Sequence, residues 1–199
     1  MAAAFATSAQ LPPGYGERFD ERVVEYPWVF TRLPKQGLVL DAGSTFNKER
    51  LLNSDLLRER RIIIYTLDTD RVILNSIFSY LFFDLLDILL RDACVDSVVC
   101  ISTLEHVGFT YEYDTFSKQN PWPYADPDSH LKAIDEFRRV LTPGGTLLLT
   151  MPYGRYEDHG WLQQFDAERI ARLKQRFGGA VKSEAYYRHV DKGWRMTDW

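Results

Sequence analysis

Several short apolar runs in this 199-residue chain are each followed by polar residues that could hold a small ligand. Leu38-Val39-Leu40 leads into Asp41, Gly43, Ser44 and Thr45, and Ile62-Ile63-Ile64-Tyr65 leads into Asp68 and Asp70. A weaker run near Tyr80-Leu81-Phe82 precedes Asp84. Ser97-Val98-Val99-Cys100-Ile101 precedes Ser102, Thr103, Glu105 and His106, and Thr146 to Thr150 precedes Pro152 and Tyr153. A carboxylate in such a place accepts hydrogen bonds from ligand hydroxyls or amines. A glycine lets the backbone turn tightly. An imidazole titrates near neutrality and can serve as a general base. Each residue also has a purely structural reading: Asp41 as a turn cap, Glu105 as a structural acceptor, His106 as a satisfied structural histidine. His130, His159 and His189 read as surface or helix residues. A single polar loop residue means little; the recurrence after successive apolar runs carries the argument.

The elements that must position these residues alternate between strand and helix. That pattern predicts a doubly wound α/β fold, with a mostly parallel sheet covered on both faces. Ligands in such sheets sit at the carboxyl ends of the strands, near the point where strand order reverses. Residues 1–20 read as a flexible N-terminal arm, and residues 21–199 as one domain. A short helix is expected with Pro27 in its first turn and Pro34 closing it. Leu51, Leu52, Asp55 and Leu56 recur at helical spacing between Lys48 and Arg58. A short helix and a brief strand are expected within residues 71–90. A helix from about Asp128 carries Leu131, Ile134 and Leu141, and Pro143-Gly144-Gly145 breaks it. Asp166 caps a helix bearing Ile170, Leu173 and Phe177, with Gly178 just past its end. Ala185-Tyr186-Tyr187 reads as a last strand. The stretch from Gly108 to Asp128 is a long loop containing Tyr111, Tyr113, Phe116, Trp122 and Tyr124. It reads as a substrate lid or as an Ω-loop packed on itself.

Composition narrows the function classes. The formal net charge is −4 and no long basic run appears, which argues against a nucleic-acid groove. Arg169, Arg172, Lys174 and Arg176 suit the solvated face of a helix. Cys94 and Cys100 fit no metal motif and read as buried thiols, in keeping with a reducing, cytoplasmic setting. No metal constellation is evident. Met1 to Gln10 lacks the basic and apolar regions of a signal peptide. The stretch Ile77 to Leu90, interrupted by Asp84 and Asp87, is too short and too charged to span a bilayer.

Val39-Leu40-Asp41-Ala42-Gly43-Ser44 resembles motif I of class I S-adenosylmethionine-dependent methyltransferases. Asp96 to Gly108, with Ser-Thr-Leu-Glu-His-Val-Gly at residues 102–108, resembles their fourth-strand motif. Phe137 to Gly145 resembles their helix-to-fifth-strand signature. The resemblance covers roughly residues 21–190 and implies a Rossmann-like methyltransferase fold with S-adenosylmethionine as cofactor. It departs from the family's Gly-x-Gly-x-Gly: only Gly43 is kept, and Phe46 either crowds the cofactor or packs beneath the loop. The resemblance implies that Asp41 holds the loop or meets the methionine amino group, with Gly43 and Ser44 beside it. Asp68, with Asp70 as the alternative, would meet the ribose. Asp84 and the Leu85 N–H would meet adenine, and Ser102 and Thr103 the methionine portion, with His106 as general base. The family's last strand is expected to be short or missing. The implied function is methyl transfer to a small-molecule or glycan-type acceptor, at oxygen; a non-catalytic binding or assembly protein of the same fold is the alternative. A dinucleotide-dependent oxidoreductase is disfavoured, because no G-x-G-x-x-G follows the first strand.

Overall fold

The computed structural model describes residues 2–7, 9–52, 55–69, 72–73, 76–109 and 126–198. The chain divides into two compact units, one of residues 1–33 with 180–199, the other of residues 34–179.

The larger unit holds a five-stranded sheet: β1 (Gly37–Ala42), β2 (Arg60–Tyr65), β3 (Phe78–Leu81), β4 (Val95–Ile101) and β5 (Leu141–Thr150). Its order is β3-β2-β1-β4-β5, and every pairing is parallel. Parallel strands are buried on both faces and therefore need continuous apolar runs. Leu40, Ala42, Val98 and Cys100 pack with Ala133, Ile134 and Phe137 of the helix Ser129–Val140 and with Leu173 of the helix Ala167–Phe177. Val39, Val99, Ile62 and Ile64 are buried too, on the alternate side of their strands. The doubly wound expectation holds.

Helices are numbered α1 (Ala2–Ala6), α2 (Arg22–Phe30), α3 (Glu49–Leu52), α4 (Ser129–Val140) and α5 (Ala167–Phe177). The capping reading of α5 holds: Asp166 accepts from the Arg169 N–H at 2.9 Å, and Gly178 is left-handed at φ 71°. The helical spacing of residues 48–58 yields only α3, and no described residue of 71–90 is helical. Pro143-Gly144-Gly145 does not end α4. The helix stops at Val140, and the Pro-Gly-Gly stretch lies inside β5 as a bulge. Val95 pairs with Leu141 and Ser97 with Thr146, so residues 142–145 stand opposite Asp96 alone.

Arg139, near the end of α4, ties the loop after β3 to this helix. Its guanidinium donates to the carbonyls of Ile88 and Leu90, both at 2.7 Å, and to Glu136 at 2.6 and 2.8 Å. Glu136 in turn accepts from the Ile88 N–H at 2.8 Å. The guanidinium holds the Glu136 carboxyl below the usual carboxylate range. From β2, the Tyr65 hydroxyl donates to the Asp87 carbonyl and accepts from the Leu89 N–H, each at 3.0 Å.

In the smaller unit Pro27 lies deep inside α2, five residues past its start, not in the first turn. A helical proline leaves the carbonyl four residues back without a donor. Here that carbonyl, of Val23, accepts from the Tyr15 hydroxyl at 2.9 Å. Within residues 1–20, Phe5 and Leu11 are buried with Val24. The strand expected near Ala185 is β8 (Tyr186–Val190), which forms an antiparallel hairpin with β9 (Gly193–Thr197). No helix among the described residues is long and apolar enough to cross a membrane.

Arg139→Ala strips two carbonyls and the carboxylates of Glu136 and Asp92 of their donor. Its stability in urea should fall by about 1–3 kcal/mol, since hydrogen bonds to charged groups dominate the loss. An unchanged midpoint would show that the loop after β3 holds without the clamp.

Candidate active site

The reversal of strand order falls between β1 and β4, so ligand binding is expected above their carboxyl ends. Asp41, the penultimate residue of β1, has 0% exposure. Its carboxylate accepts from the Thr45 N–H at 3.1 Å and the Phe46 N–H at 2.7 Å. A buried carboxylate needs such partners. The loop after β1 therefore curls back over its own strand. Phe46 is fully buried.

Thr45 and Thr103 tie the β1 loop to β4. Both hydroxyls donate to the Ile101 carbonyl, at 3.2 and 3.0 Å. Thr103 also explains Gly43, whose φ is 108°: a Cβ there would overlap the Thr103 side chain. Ser44 at φ 59° and Ser102 at φ 40° are left-handed without being glycine. Such residues carry strain of about 1–2 kcal/mol each, and that strain concentrates at functional sites. Ser102 is held by its N–H, which donates to the Thr150 carbonyl at 3.1 Å and hydroxyl at 3.2 Å. Asp41, Gly43, Ser44, Ser102 and Thr103 thus stand at the carboxyl ends of two adjacent strands.

The remaining expected residues stand to either side. Asp68 is exposed just beyond β2, its N–H donating to the Thr66 hydroxyl at 3.1 Å. Asp70 lies outside the described residues. Asp84 follows β3. Its carboxylate accepts from the Leu86 N–H at 2.9 Å and also from the Leu85 N–H, while burial pushes its proton affinity up. Leu85 itself is buried in the core.

His106 ends a short 3-10 turn, Leu104–His106, after β4. Its Nδ1–H donates to the Trp161 carbonyl at 3.0 Å. A carbonyl only accepts, so Nδ1 carries the proton and the neutral ring has its lone pair on Nε2. Trp161 sits in the turn between β6 (Glu157–Asp158) and β7 (Gln163–Gln164). The residue is 47% exposed, and its ring centroid lies 5.3 Å from that of His106. Trp161 escaped the sequence reading because two-residue strands carry no period. A tryptophan next to a glycine a few residues beyond a strand end was the one available signal.

His130 is not on the surface: it has 0% exposure in the first turn of α4. Its Nδ1–H donates to the Pro127 carbonyl at 2.6 Å, and the Gln163 amide donates to the same carbonyl at 2.9 Å. Burial holds this imidazole below its usual range. The contact joins the Trp161 hairpin to the end of the loop that begins at Gly108. Most of that loop, residues 110–125 with all five aromatics expected to form a lid or Ω-loop, lies outside the described residues. Among the described residues, neither cysteine forms a disulfide and no metal-ligating cluster occurs.

A family model described as a methyltransferase domain matches residues 52–149. Those residues, about half of the chain, are similar to that family of methyltransferase domains. Solved structures share the chain's fold at low identity. One is a S-adenosylmethionine-dependent methyltransferase of Methanosarcina mazei, with TM-score 0.57 and 13% identity, covering 86% of this chain and 93% of that one. Another is the 1,6-didemethyltoxoflavin-N1-methyltransferase of Burkholderia thailandensis, solved with S-adenosylhomocysteine, at 0.53 and 16%, covering 85% and 75%. A third, a [4+2]-cyclase, aligns at 0.59 and 17%, covering 92% and 70%. The chain spans about two thirds of the length of several other structures it matches. No curated protein matches it. Methyltransferase domains of this class take S-adenosylmethionine as methyl donor.

The buried His130 makes a pH prediction for this chain. In the unfolded chain the imidazole titrates near ~6.5. Below that pH the unfolded state binds a proton that the folded state resists. Stability is therefore full above about pH 6.5 and falls as pH drops toward the lower folded value. Denaturation curves of His130→Phe should lack this acid limb. Equal slopes for the two proteins would show that His130 does not contribute it.

Proposed function

We propose that this domain transfers the methyl group of S-adenosylmethionine to a hydroxyl oxygen of a small-molecule or glycan-type acceptor. The observation that carries the reading is the pair of left-handed serines, Ser44 and Ser102, at the strand-order reversal. The residues present suit the cofactor. Phe46 is fully buried, which weakens the alternative of a non-catalytic binding or assembly protein.

In this reading Asp41 shapes the loop and leaves Gly43 and Ser44 to line the methionine portion with Ser102 and Thr103. Asp68 accepts from the ribose hydroxyls. Asp84 accepts from the adenine amino group, having acceptor capacity beyond the two backbone donors it already holds. The Leu85 N–H reaches a ring nitrogen only by leaving Asp84. S-adenosylmethionine supplies an electrophilic methyl group, so the protein's tasks are alignment and exclusion of water. His106 Nε2 takes the proton from the acceptor hydroxyl as its oxygen attacks, while the Trp161 carbonyl holds the imidazole by Nδ1. The half-exposed Trp161 ring offers a wall for an acceptor ring. With two cysteines outside any disulfide, we place the protein in the cytoplasm.

Calorimetry tests the cofactor half of this account. S-adenosylmethionine should bind in the micromolar range, about −8 kcal/mol. Asp84→Ala should weaken binding by about 1–3 kcal/mol. Absence of heat at millimolar cofactor would end the proposal.

The catalytic half is read from His106→Ala, using turnover on a hydroxyl acceptor found by screening phenols and glycosides. Turnover should drop by ~10²–10⁴ with cofactor affinity nearly intact. A loss of melting temperature that accounts for the lost activity would make His106 structural instead.

A further inference from the structure

Gln163 is fully buried on β7, two residues after Trp161. Its side-chain N–H donates to the Pro127 carbonyl at 2.9 Å. The His130 Nδ1–H donates to the same carbonyl at 2.6 Å. Both lone pairs of that oxygen are therefore in use. The other end of the amide is not served: the Gln163 Oε1 is buried and accepts no hydrogen bond among the described residues. A buried polar atom without a partner destabilises a fold. A methionine or leucine of similar size would remove that atom, and the Pro127 carbonyl would keep its His130 donor. Stability alone therefore does not account for a glutamine at this position.

The amide supplies direction instead. β6 and β7 are two residues each, and a hairpin this short does not hold its place unaided. At its base, the Phe165 N–H donates to the Pro152 carbonyl at 3.0 Å, and the Gly154 N–H to the Phe165 carbonyl at 2.8 Å. At its tip, the His159 N–H donates to the Leu162 carbonyl at 2.9 Å, which closes the turn only on itself. The Gln163 amide ties the strand next to that tip to Pro127, just ahead of α4. The tip carries the Trp161 carbonyl, which accepts from the His106 Nδ1–H at 3.0 Å.

The hydrogen bond at one ring nitrogen decides which of the two carries the proton. A histidine side chain in water favours the form with its proton on Nε2. We infer that Gln163 is a positioning residue: it holds the Trp161 carbonyl on His106 Nδ1 and so keeps the lone pair of the ring on Nε2. The link to turnover rests on the reading of His106 as the base; the link to the tautomer does not.

Nitrogen NMR of the full chain with isotope-labelled histidine reads the tautomer, because protonated and unprotonated ring nitrogens resonate far apart. His106→Ala identifies the His106 signals by their loss. At about pH 8, where an ordinary imidazole is neutral, the unaltered protein should show His106 protonated on Nδ1. Gln163→Met should move these signals toward the Nε2–H form. Its turnover should fall ~10-fold, part of the ~10²–10⁴ that a base supplies. Its S-adenosylmethionine affinity should stay the same, and its urea midpoint should not drop. An unaltered protein with Nε2 protonated overturns the inference without any variant. So does Gln163→Met with the wild-type tautomer, and Gln163→Leu gives the same test if the methionine variant does not fold. A tautomer that shifts while turnover holds supports the latch and removes His106 as the base.

Discussion

The carboxyl end of the sheet depends on one buried carboxylate. Asp41 has no contact with solvent, and two consecutive N–H groups of the next loop satisfy it. Leaving a buried carboxylate unpaired costs several kcal/mol, so the loop must close over β1. That closure buries Phe46, brings Thr45 onto the Ile101 carbonyl, and leaves Ser44 in a left-handed conformation. Gly43 follows from the same closure, because Thr103 fills the space any side chain would need.

A second set of contacts fixes the loop after β3. Asp84 lies on a loop with little regular structure, yet Tyr65 from β2 and Arg139 with Glu136 from α4 grip its later residues. The loop is thereby fixed to two elements of the central fold. The same helix α4 begins with His130, which is joined through the Pro127 carbonyl to Gln163 of the Trp161 hairpin. The loop after β3 and the Trp161 hairpin thus hang from opposite ends of one helix.

The central strands were legible because burial on both faces demands runs such as Ile62-Ile63-Ile64. The cap and stop of α5 were legible because Asp166 and Gly178 act locally. Elements whose cause is distant were not. Pro27 pointed to a later helix start, since the Tyr15 hydroxyl that rescues its helix position lies outside the helix. Pro143-Gly144-Gly145 looked like a helix stop but accommodates the Asp96 backbone as a bulge in β5. The grouping of residues after β1 and β4 could be foreseen from strand ends. The placement of His106 against Trp161 could not, because β6 and β7 are two residues each.

The most direct measurement is a crystal structure of the full chain grown with saturating S-adenosylhomocysteine. The account predicts the ligand above β1 and β4, with its amino-acid portion between Ser44 and Ser102 and its adenine amino group on Asp84. A ligand lying elsewhere, or an adenine distant from Asp84 with the loop after β1 unmoved, would contradict it.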